Sequence, residues 1–143
     1  MTVQRILNRK PGADVITIAP GQTVAEAAAL LSQKKIGALI VADGGGPLGI
    51  LSERDIVREL GKRGGGCLTD KVESLMTRTL ITCAPGDKAL SVLEKMSQGR
   101  FRHMPVIEDG VMVGFISIGD VVNHRLAELA MERDALESMV MGH

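Results

Sequence analysis

Aromatic residues are nearly absent from this chain of 143 residues, which has two phenylalanines, no tryptophan and no tyrosine. Proteins that bind single-stranded nucleic acid by stacking its bases on aromatic rings are therefore excluded. An excess of positive charge is absent too, because 17 Lys and Arg residues balance 17 Asp and Glu residues. Since a general nucleic-acid binder needs that excess to displace counterions from phosphates, we expect no nucleic-acid partner.

Long apolar runs and cysteine clusters are also missing. No apolar stretch approaches the roughly 18–20 residues that a membrane span needs. The first residues, MTVQRILNRK, lack the apolar centre of a signal peptide. The two cysteines, Cys67 and Cys83, are too few for a disulfide scaffold and suit a reducing compartment. We therefore expect a cytoplasmic protein with no membrane partner and a core of aliphatic side chains and methionines.

The chain contains an internal repeat. Shifted by 65 positions, Ile16–Val57 aligns with Ile81–Val122 without a gap. Upstream of this match the shift becomes 69, so the first copy has four extra residues around Pro11–Asp14. A unit of about 60 residues buries little apolar surface on its own. We predict that the two copies pack against each other about an approximate two-fold axis. Identical matched pairs include Pro20/Pro85, Val41/Val106, Gly49/Gly114, Ser52/Ser117 and Asp55/Asp120.

Each copy has the pattern of a β-α-β-β-α unit, judged from apolar periodicity, helix caps and turn residues. The first copy predicts a strand at Val15–Ile18, a helix from Thr23, strands at Ala38–Ala42 and Leu48–Leu51, and a helix from Ser52. The second copy predicts a strand at Leu80–Cys83, a helix from Asp87, strands at His103–Ile107 and Val113–Ile116, and a helix from Ser117. The Gly-rich stretch Gly61–Thr69 is interpreted as the linker.

This doubled order resembles a tandem CBS (cystathionine-β-synthase) domain pair, also called a Bateman module, of the stand-alone bacterial type. The resemblance rests on Gly49–Asp55 and Gly114–Asp120, which each close a hairpin and open a helix, and on Phe101–Ile107, which is similar to the family's second-strand pattern. It implies an α+β fold of two CBS repeats packed with pseudo-two-fold symmetry, plus a long C-terminal helix. We assign residues 1–62 to repeat 1, 63–71 to a Gly-rich linker, 72–126 to repeat 2 and 127–143 to a C-terminal helical extension.

The pairs Ser52 with Asp55 and Ser117 with Asp120 have the spacing of a helix N-cap followed by an acid in the first turn. On spacing alone, capping explains them. The resemblance adds a ligand role, because family members place Ser or Thr near a phosphate and Asp on the ribose of an adenosyl ligand. The two interpretations are compatible. If Asp120 accepts ribose hydroxyls, Asp120→Ala should weaken binding by about 1.5–3 kcal/mol.

Arg102 and His103 stand at the start of a predicted strand. An exposed basic edge would explain them, whereas the resemblance places them beside the ligand phosphates, where the planar guanidinium of arginine fits well. Gly37 and Ala38 occupy the matching positions in the first copy and carry no charge. We therefore expect two unequal sites.

Members of the family bind adenine against the first two strands of a repeat. Because this chain has so few aromatic rings, the base would lie between aliphatic side chains such as Ile18, Leu39, Ile40, Met104 and Ile116. A surface role is the favoured interpretation of Arg54 and Arg100. Arg54 is nevertheless included among the predicted ligand-binding residues. The ligand-binding residues predicted are Thr17, Ile18, Gly37, Ala38, Leu39, Ser52, Arg54, Asp55, Thr82, Cys83, Arg102, His103, Met104, Pro105, Ser117 and Asp120.

Catalytic and metal-binding patterns are missing from the sequence. His103, His124 and His143 do not have the spacing of a zinc-protease motif, and the cysteines form no Cys-x-x-Cys pair. The cluster Gly44–Pro47 lacks the Gly-Lys-Ser/Thr of a phosphate-binding loop. We therefore expect no enzyme activity, no metal and no catalytic cofactor.

The resemblance implies a regulatory module that binds AMP, ADP or ATP between its repeats and signals to an effector protein that the sequence does not identify. NAD and S-adenosylmethionine remain open, although Arg102 and His103 favour a ligand with phosphate. Two alternatives are a ligand-free interaction scaffold and a nucleic-acid adaptor, the second disfavoured by the neutral charge.

The segment Asp120–Met141 is predicted to form a long helix. Its apolar residues Val122, Leu126, Leu129, Leu136 and Val140 follow steps of 4-3-7-4, and Arg133 interrupts the seam. The helix could fold back over its own repeat or form a dimer contact. Because pairs in this family often associate as disc-like dimers, we expect a homodimer.

Overall fold

A computed structural model describes residues 1–9 and 15–142. The extra residues predicted around Pro11–Asp14 lie outside the described residues, apart from their flanks. The first half contains α1 (Val3–Arg9), β1 (Thr17–Ile18), α2 (Val24–Lys34), β2 (Ala38–Asp43), β3 (Gly46–Ser52) and α3 (Glu53–Arg63). A 3₁₀ helix (Gly64–Thr69) and α4 (Val72–Leu75) lead into the second half, which contains α5 (Ala89–Gly99), β4 (His103–Glu108), β5 (Val111–Ser117) and α6 (Ile118–Val140). This arrangement confirms the predicted α+β fold with its long C-terminal helix.

The hairpins of the two repeats match the sequence prediction closely. In repeat 1, β1 lies parallel to β2 and β2 lies antiparallel to β3. In repeat 2, β4 and β5 form the equivalent antiparallel pair. In repeat 1, α2 lies between β1 and β2 and is capped by Thr23, whose hydroxyl accepts a hydrogen bond from Glu26 N at 3.2 Å. This is the cap that the Thr-x-x-Glu pattern predicts.

The predicted strand Leu80–Cys83 is wrong, since this segment has only an isolated bridge between Cys83 and Val106. Repeat 1 shows the cause. There Ile40 N donates to Ile16 O at 3.3 Å and holds β1 beside β2. The residue that matches Ile40 is Pro105, which has no N–H to donate, so the equivalent bond to Ile81 cannot form.

The short helix that leads into each repeat packs on the other repeat. Val3 and Ile6 of α1 lie in the hydrophobic core of repeat 2. Val72 of α4 and the adjoining Met76 lie in the core of repeat 1. Backbone bonds fix both crossings, with Val3 N donating to Asp87 O at 2.9 Å and Val24 N to Asp70 O at 2.8 Å. Neither core is complete without a helix from the other half of the chain.

The stretch interpreted as the linker is helical. Gly61–Arg63 continue α3, and Gly64–Thr69 follow as the 3₁₀ helix. Cys67 is fully buried there, and Arg63 forms an ion pair with Asp70. The connection between the repeats is therefore packed against the fold. Apolar periodicity could not predict this packing, because Cys67 is the one buried residue of the 3₁₀ helix and a single residue forms no periodic pattern.

The helix α6 leaves the body of repeat 2 partway along its length. Val121 and His124 are buried, whereas every residue from Met131 to Val140 is exposed. The alternative in which this segment folds back over its own repeat is therefore wrong. Among the described residues, no helix combines the length and apolarity required to cross a membrane.

Candidate functional site

A cleft of about 410 Å³ lies where the two repeats meet. Repeat 1 contributes the end of β3 and the start of α3. The extended segment after α4 forms a second wall, and the turn between α5 and β4 forms the third. The lining residues are Gly37, Ile50, Ser52, Glu53, Arg54, Asp55, Arg58, Thr77, Thr79, Ile81, Gly99, Arg100, Phe101, Arg102 and His103.

The wall from repeat 1 presents a half-buried carboxylate, Asp55. Its Oδ2 accepts hydrogen bonds from Ser52 N at 2.9 Å and Ser52 Oγ at 3.0 Å, and Asp55 N donates to Ser52 Oγ at 3.2 Å. The capping interpretation is thus confirmed. The cap uses only Oδ2. Among the described residues, Oδ1 has a single partner, the exposed Arg58, with which it forms a long ion pair of 3.4 Å. Asp55 can cap α3 and still accept hydrogen bonds from hydroxyl groups in the cleft.

The wall from repeat 2 presents Arg100, Arg102 and His103. The ring of His103 is half-buried and stacks on Phe115, with centroids 5.6 Å apart. It reaches across to repeat 1, where a Cβ on Gly37 would lie 3.4 Å from His103 Nε2 and 3.6 Å from Glu53 Oε1. Gly37 therefore leaves the space into which His103 of the other repeat projects.

Positive charge is concentrated in this cleft although the chain as a whole is neutral. Arg54, Arg58, Arg100 and Arg102 line it together with His103, against the two carboxylates Glu53 and Asp55. Within the described part of the chain, no ion pair joins Arg54, Arg100 or Arg102 to an acidic side chain. Guanidinium groups without acidic partners, facing one cavity, are suited to bind an anion with phosphate-like oxygens.

The second wall, formed by the segment after α4, is fixed by the backbone. Ile50 N donates to Thr77 O at 3.0 Å, and Thr77 N donates to Ile50 O at 2.8 Å. This pairing places Thr79 and Ile81 along the cleft. Ile50, Ile81 and Phe101 supply apolar surface beside the polar groups. The cleft thus combines an apolar side, a carboxylate that can accept from hydroxyls, and a cluster of cations.

The family follows from a comparison with known proteins. A family model described as "CBS domain" matches residues 3–62 and again residues 72–127. The chain belongs to the CBS-domain family. A CBS domain-containing mitochondrial protein of Arabidopsis thaliana is 37% identical over 84% of this chain, and the match spans 61% of that protein's length.

Solved CBS structures share the fold. A CBS-domain containing protein from Agrobacterium tumefaciens is 42% identical with a TM-score of 0.84, over 87% of this chain and 99% of that one. A candidate signal-transduction protein with CBS domains from Burkholderia ambifaria is 35% identical with a TM-score of 0.85, over 89% and 95%. The CBS domain pair of MJ0100, solved with 5-methylthioadenosine and S-adenosylmethionine, is 28% identical with a TM-score of 0.77, over 90% and 98%.

Six of the residues predicted from the sequence line this cleft of the CBS pair, namely Gly37, Ser52, Arg54, Asp55, Arg102 and His103. Six others are buried, namely Ile18, Ala38, Leu39, Cys83, Met104 and Pro105, as are Ile40 and Ile116, which the sequence analysis placed against the base. Thr17 and Thr82 are exposed outside the cleft, and Ser117 and Asp120 lie at the start of α6. The ligand roles of all these residues stay predictions.

Nine lining residues of the CBS cleft were not predicted, namely Ile50, Glu53, Arg58, Thr77, Thr79, Ile81, Gly99, Arg100 and Phe101. Arg100 had been assigned to the surface, and it is an exposed residue of the cleft wall. The ring of Phe101 lies over Gly99, where a Cβ would collide with it. Thr77 and Thr79 had no local signal, because they reach the cleft only through the crossing of α4 onto repeat 1.

The second CBS repeat has the same cap. Ser117 N donates to Asp120 Oδ2 at 2.8 Å, and Asp120 N donates to Ser117 Oγ at 3.1 Å. By the repeat alignment, Thr77 matches Asn8 near the end of α1, and Thr79 matches position 10, which lies outside the described residues. The predicted effect of Asp120→Ala therefore stays a prediction.

Metal-binding and thiol chemistry find little support in the described residues. No group of three or more His, Cys, Asp or Glu side chains in this part of the CBS pair could hold a metal ion. Cys67 and Cys83 are free and buried. Burial, aided by the negative charge of Asp87, raises the pKa of the Cys83 thiol to about 11, against a partial opposing effect of Lys95.

The raised pKa of Cys83 predicts a loss of stability in alkali. The contribution of the neutral thiol is fully present below the ordinary thiol pKa of 9.0 and is lost as the pH rises towards 11. Urea unfolding at pH 8.5 and 10.5 should show a lower midpoint at the higher pH. Cys83→Ala should reduce that difference. If the midpoint falls equally in the variant and in the unmodified protein, the raised pKa of Cys83 does not cause the loss.

Proposed function

We propose that this CBS pair binds an adenosine nucleotide in the cleft between its repeats and performs no chemistry on it. The proposal rests on one observation: a carboxylate of repeat 1 and a cluster of basic side chains of repeat 2 line the same cleft. Repeat 1 offers Asp55 Oδ1, and repeat 2 offers Arg100, Arg102 and His103. The carboxylate suits the two hydroxyls of a ribose, and the cations suit phosphate.

AMP, ADP and ATP are the ligands that this chemistry favours. The MJ0100 pair takes two adenosine-containing ligands, 5-methylthioadenosine and S-adenosylmethionine, which carry no phosphate. A cleft lined by four arginines is better matched to a phosphorylated relative of these compounds. NAD, which has the adenosine half and a pyrophosphate, fits the same argument.

The ligand would act as a bridge between the repeats. Because its ribose and phosphate groups are held by different halves of the chain, binding stabilises one relative arrangement of the repeats. An effector protein or a second copy of the chain that distinguishes this arrangement would read the signal. We place the protein in the cytoplasm, with a homodimer as its working form. The counterpart of this site beside Asp120 would be weaker, since Gly37 and Ala38, which match Arg102 and His103 in the repeat alignment, carry no charge.

A thermal-shift panel tests the proposal. At 100 times its dissociation constant, a nucleotide that binds only the folded chain adds about 2.7 kcal/mol of stability. AMP, ADP or ATP should therefore raise the melting temperature, and adenosine and S-adenosylmethionine should do so less at equal concentration. If no compound of the panel moves the midpoint, the ligand-free scaffold is the better account.

A further inference from the structure

Arg100 has a backbone conformation that is unfavourable for arginine. It caps the C-terminus of α5 with φ 56° and ψ 40°, in the left-handed region. There the Cβ of an L-residue crowds its own backbone, so glycine, and less often asparagine, is usual at this position of a helix end. Among the described residues, only Lys35, Arg100 and Asp109 combine a side chain with a positive φ. The side chain of Arg100 is therefore kept at a cost in stability.

A glycine lies next to this position and not at it. Gly99 is the last residue of α5, and a Cβ there would collide with the ring of Phe101. Gly99 thus makes room for that ring, which lines the cleft beside Arg100. The end of α5 needs a left-handed residue, and glycine at position 100 would adopt that conformation with less strain. The packing of this turn explains Gly99 and does not require an arginine after it.

The side chain of Arg100 faces the cleft. It is exposed and lies on the wall that also carries Arg102 and His103. Within the part of the chain that the structure describes, no ion pair restrains its guanidinium. Basic groups on one wall repel one another, so the side chain adds electrostatic repulsion to the backbone strain. An anion in the cleft would offset that repulsion, and the planar guanidinium suits phosphate oxygens.

Repeat 1 provides an internal comparison. Lys35, which matches Arg100 in the repeat alignment, caps α2 with nearly the same angles, φ 55° and ψ 46°. It lines a separate shallow groove between α2 and α3 and is not among the residues that line the cleft. Both residues therefore have the strain and the positive charge. The cleft distinguishes Arg100 from Lys35, and the residue at the cleft is the one with a guanidinium.

We propose that Arg100 determines the specificity of the cleft for phosphate, because its guanidinium binds a phosphate group of the ligand. This inference rests on the proposed nucleotide site. It goes further by assigning the preference for phosphorylated over phosphate-free adenosine compounds to a residue outside the recognised motifs. Arg102 and His103 can lie in or beside β4 without strain, whereas the arginine at position 100 is favourable only when an anion is bound.

Arg100→Gly tests the proposal, because strain relief and loss of phosphate binding have opposite signs. Thermal unfolding of the full chain without ligand should show a midpoint about 2–4 °C higher than in the unmodified protein. Titration calorimetry should show an affinity for ATP about 5- to 10-fold lower, the lower end of the range for charged hydrogen bonds because Arg100 is exposed. The affinity for adenosine, which has no phosphate, should not change.

Lys35→Gly is the matched control. It relieves the same backbone strain and removes the same charge, so its melting midpoint should rise as well. Its affinity for ATP should stay that of the unmodified protein, since Lys35 does not line the cleft. Arg100→Gln keeps the strain and removes the charge. It should lose affinity for ATP as Arg100→Gly does, with a smaller gain in stability.

Unchanged affinity for ATP in Arg100→Gly would overturn the inference and leave the proposed nucleotide site intact. An equal loss in Lys35→Gly would show a general effect of charge and overturn it too. An equal loss for adenosine and ATP would mean that the substitution damages the cleft without affecting phosphate selection, with the same consequence. If the unmodified protein binds neither compound, the proposed function itself fails, and the role of Arg100 fails with it.

Discussion

Asp55→Ala is expected to weaken nucleotide binding by about 10- to 100-fold, the range of one or two lost hydrogen bonds to a charged acceptor. The reason is the division of labour between the two carboxylate oxygens. Oδ2 is used within the cap of α3, and Oδ1 is left for hydroxyl groups in the cleft. Titration calorimetry of the full chain with ATP or AMP measures the change.

A control is needed because Asp55→Ala also removes the helix cap, at a cost of about 1 kcal/mol in stability. Asp87→Ala removes a comparable bond, since an oxygen of Asp87 accepts from Ala84 N at 2.9 Å, and it does not line the cleft. The Asp87 variant should keep its affinity. Equal affinity in the Asp55 variant and the unmodified protein would remove Asp55 from the site.

Gly49→Ala is expected to lower the free energy of unfolding by about 1–3 kcal/mol, the usual cost of overpacking a core. A Cβ at Gly49 would lie 2.7 Å from Met76 Sδ and 2.8 Å from Thr77 O. Met76 belongs to the segment that crosses from α4 onto repeat 1, and Thr77 pairs with Ile50 along the cleft. The change therefore disturbs the crossing and the cleft wall together. Urea unfolding measures the loss.

The repeat supplies matched controls for this prediction. Gly114, the counterpart of Gly49, faces the flexible end of Leu7 on α1, so Gly114→Ala should cost less than Gly49→Ala, where a backbone oxygen cannot move aside. Gly21→Ala should cost little, since no atom lies within 4 Å of its Cβ position. A cost at Gly49 no greater than at Gly21 would contradict the packing argument.

Much of the fold could be predicted from the sequence because its signals are local. The caps at Thr23, Ser52 and Ser117 and the glycine-rich hairpin turns act over three to five residues, and the duplication allowed each signal to be checked in the other copy. The strand at Leu80–Cys83 failed for a specific reason. Its partner strand has Pro105 where a donor is needed, and that requirement involves residues about 25 positions apart.

The candidate site was predicted only in part, because it is built from segments distant in sequence. Asp55 and Arg102 could be selected by motif and by family resemblance. The pairing of Thr77 with Ile50, which brings the segment after α4 to the cleft, has no sequence signal. The exchange of α1 and α4 between the repeats is equally hidden, since periodicity shows which face of a helix is buried and not which core receives it.

The exchange of α1 and α4 between the repeats also limits how ligand binding could change the arrangement of the repeats. Each core contains a helix of the other half, so the repeats cannot separate without exposing Val3 and Ile6 or Val72 and Met76. We expect a ligand to shift the angle between the repeats within this constraint. The wall that carries Asp55 and the wall that carries Arg102 would approach each other most.

The most direct test of the central claim is a crystal structure of the full chain grown with AMP. The account predicts the ribose hydroxyls on Asp55 Oδ1, the phosphate within hydrogen-bond distance of Arg102, and the base against Ile50 or Ile81. An empty cleft at saturating AMP, or a nucleotide bound away from the junction of the two repeats, would contradict it.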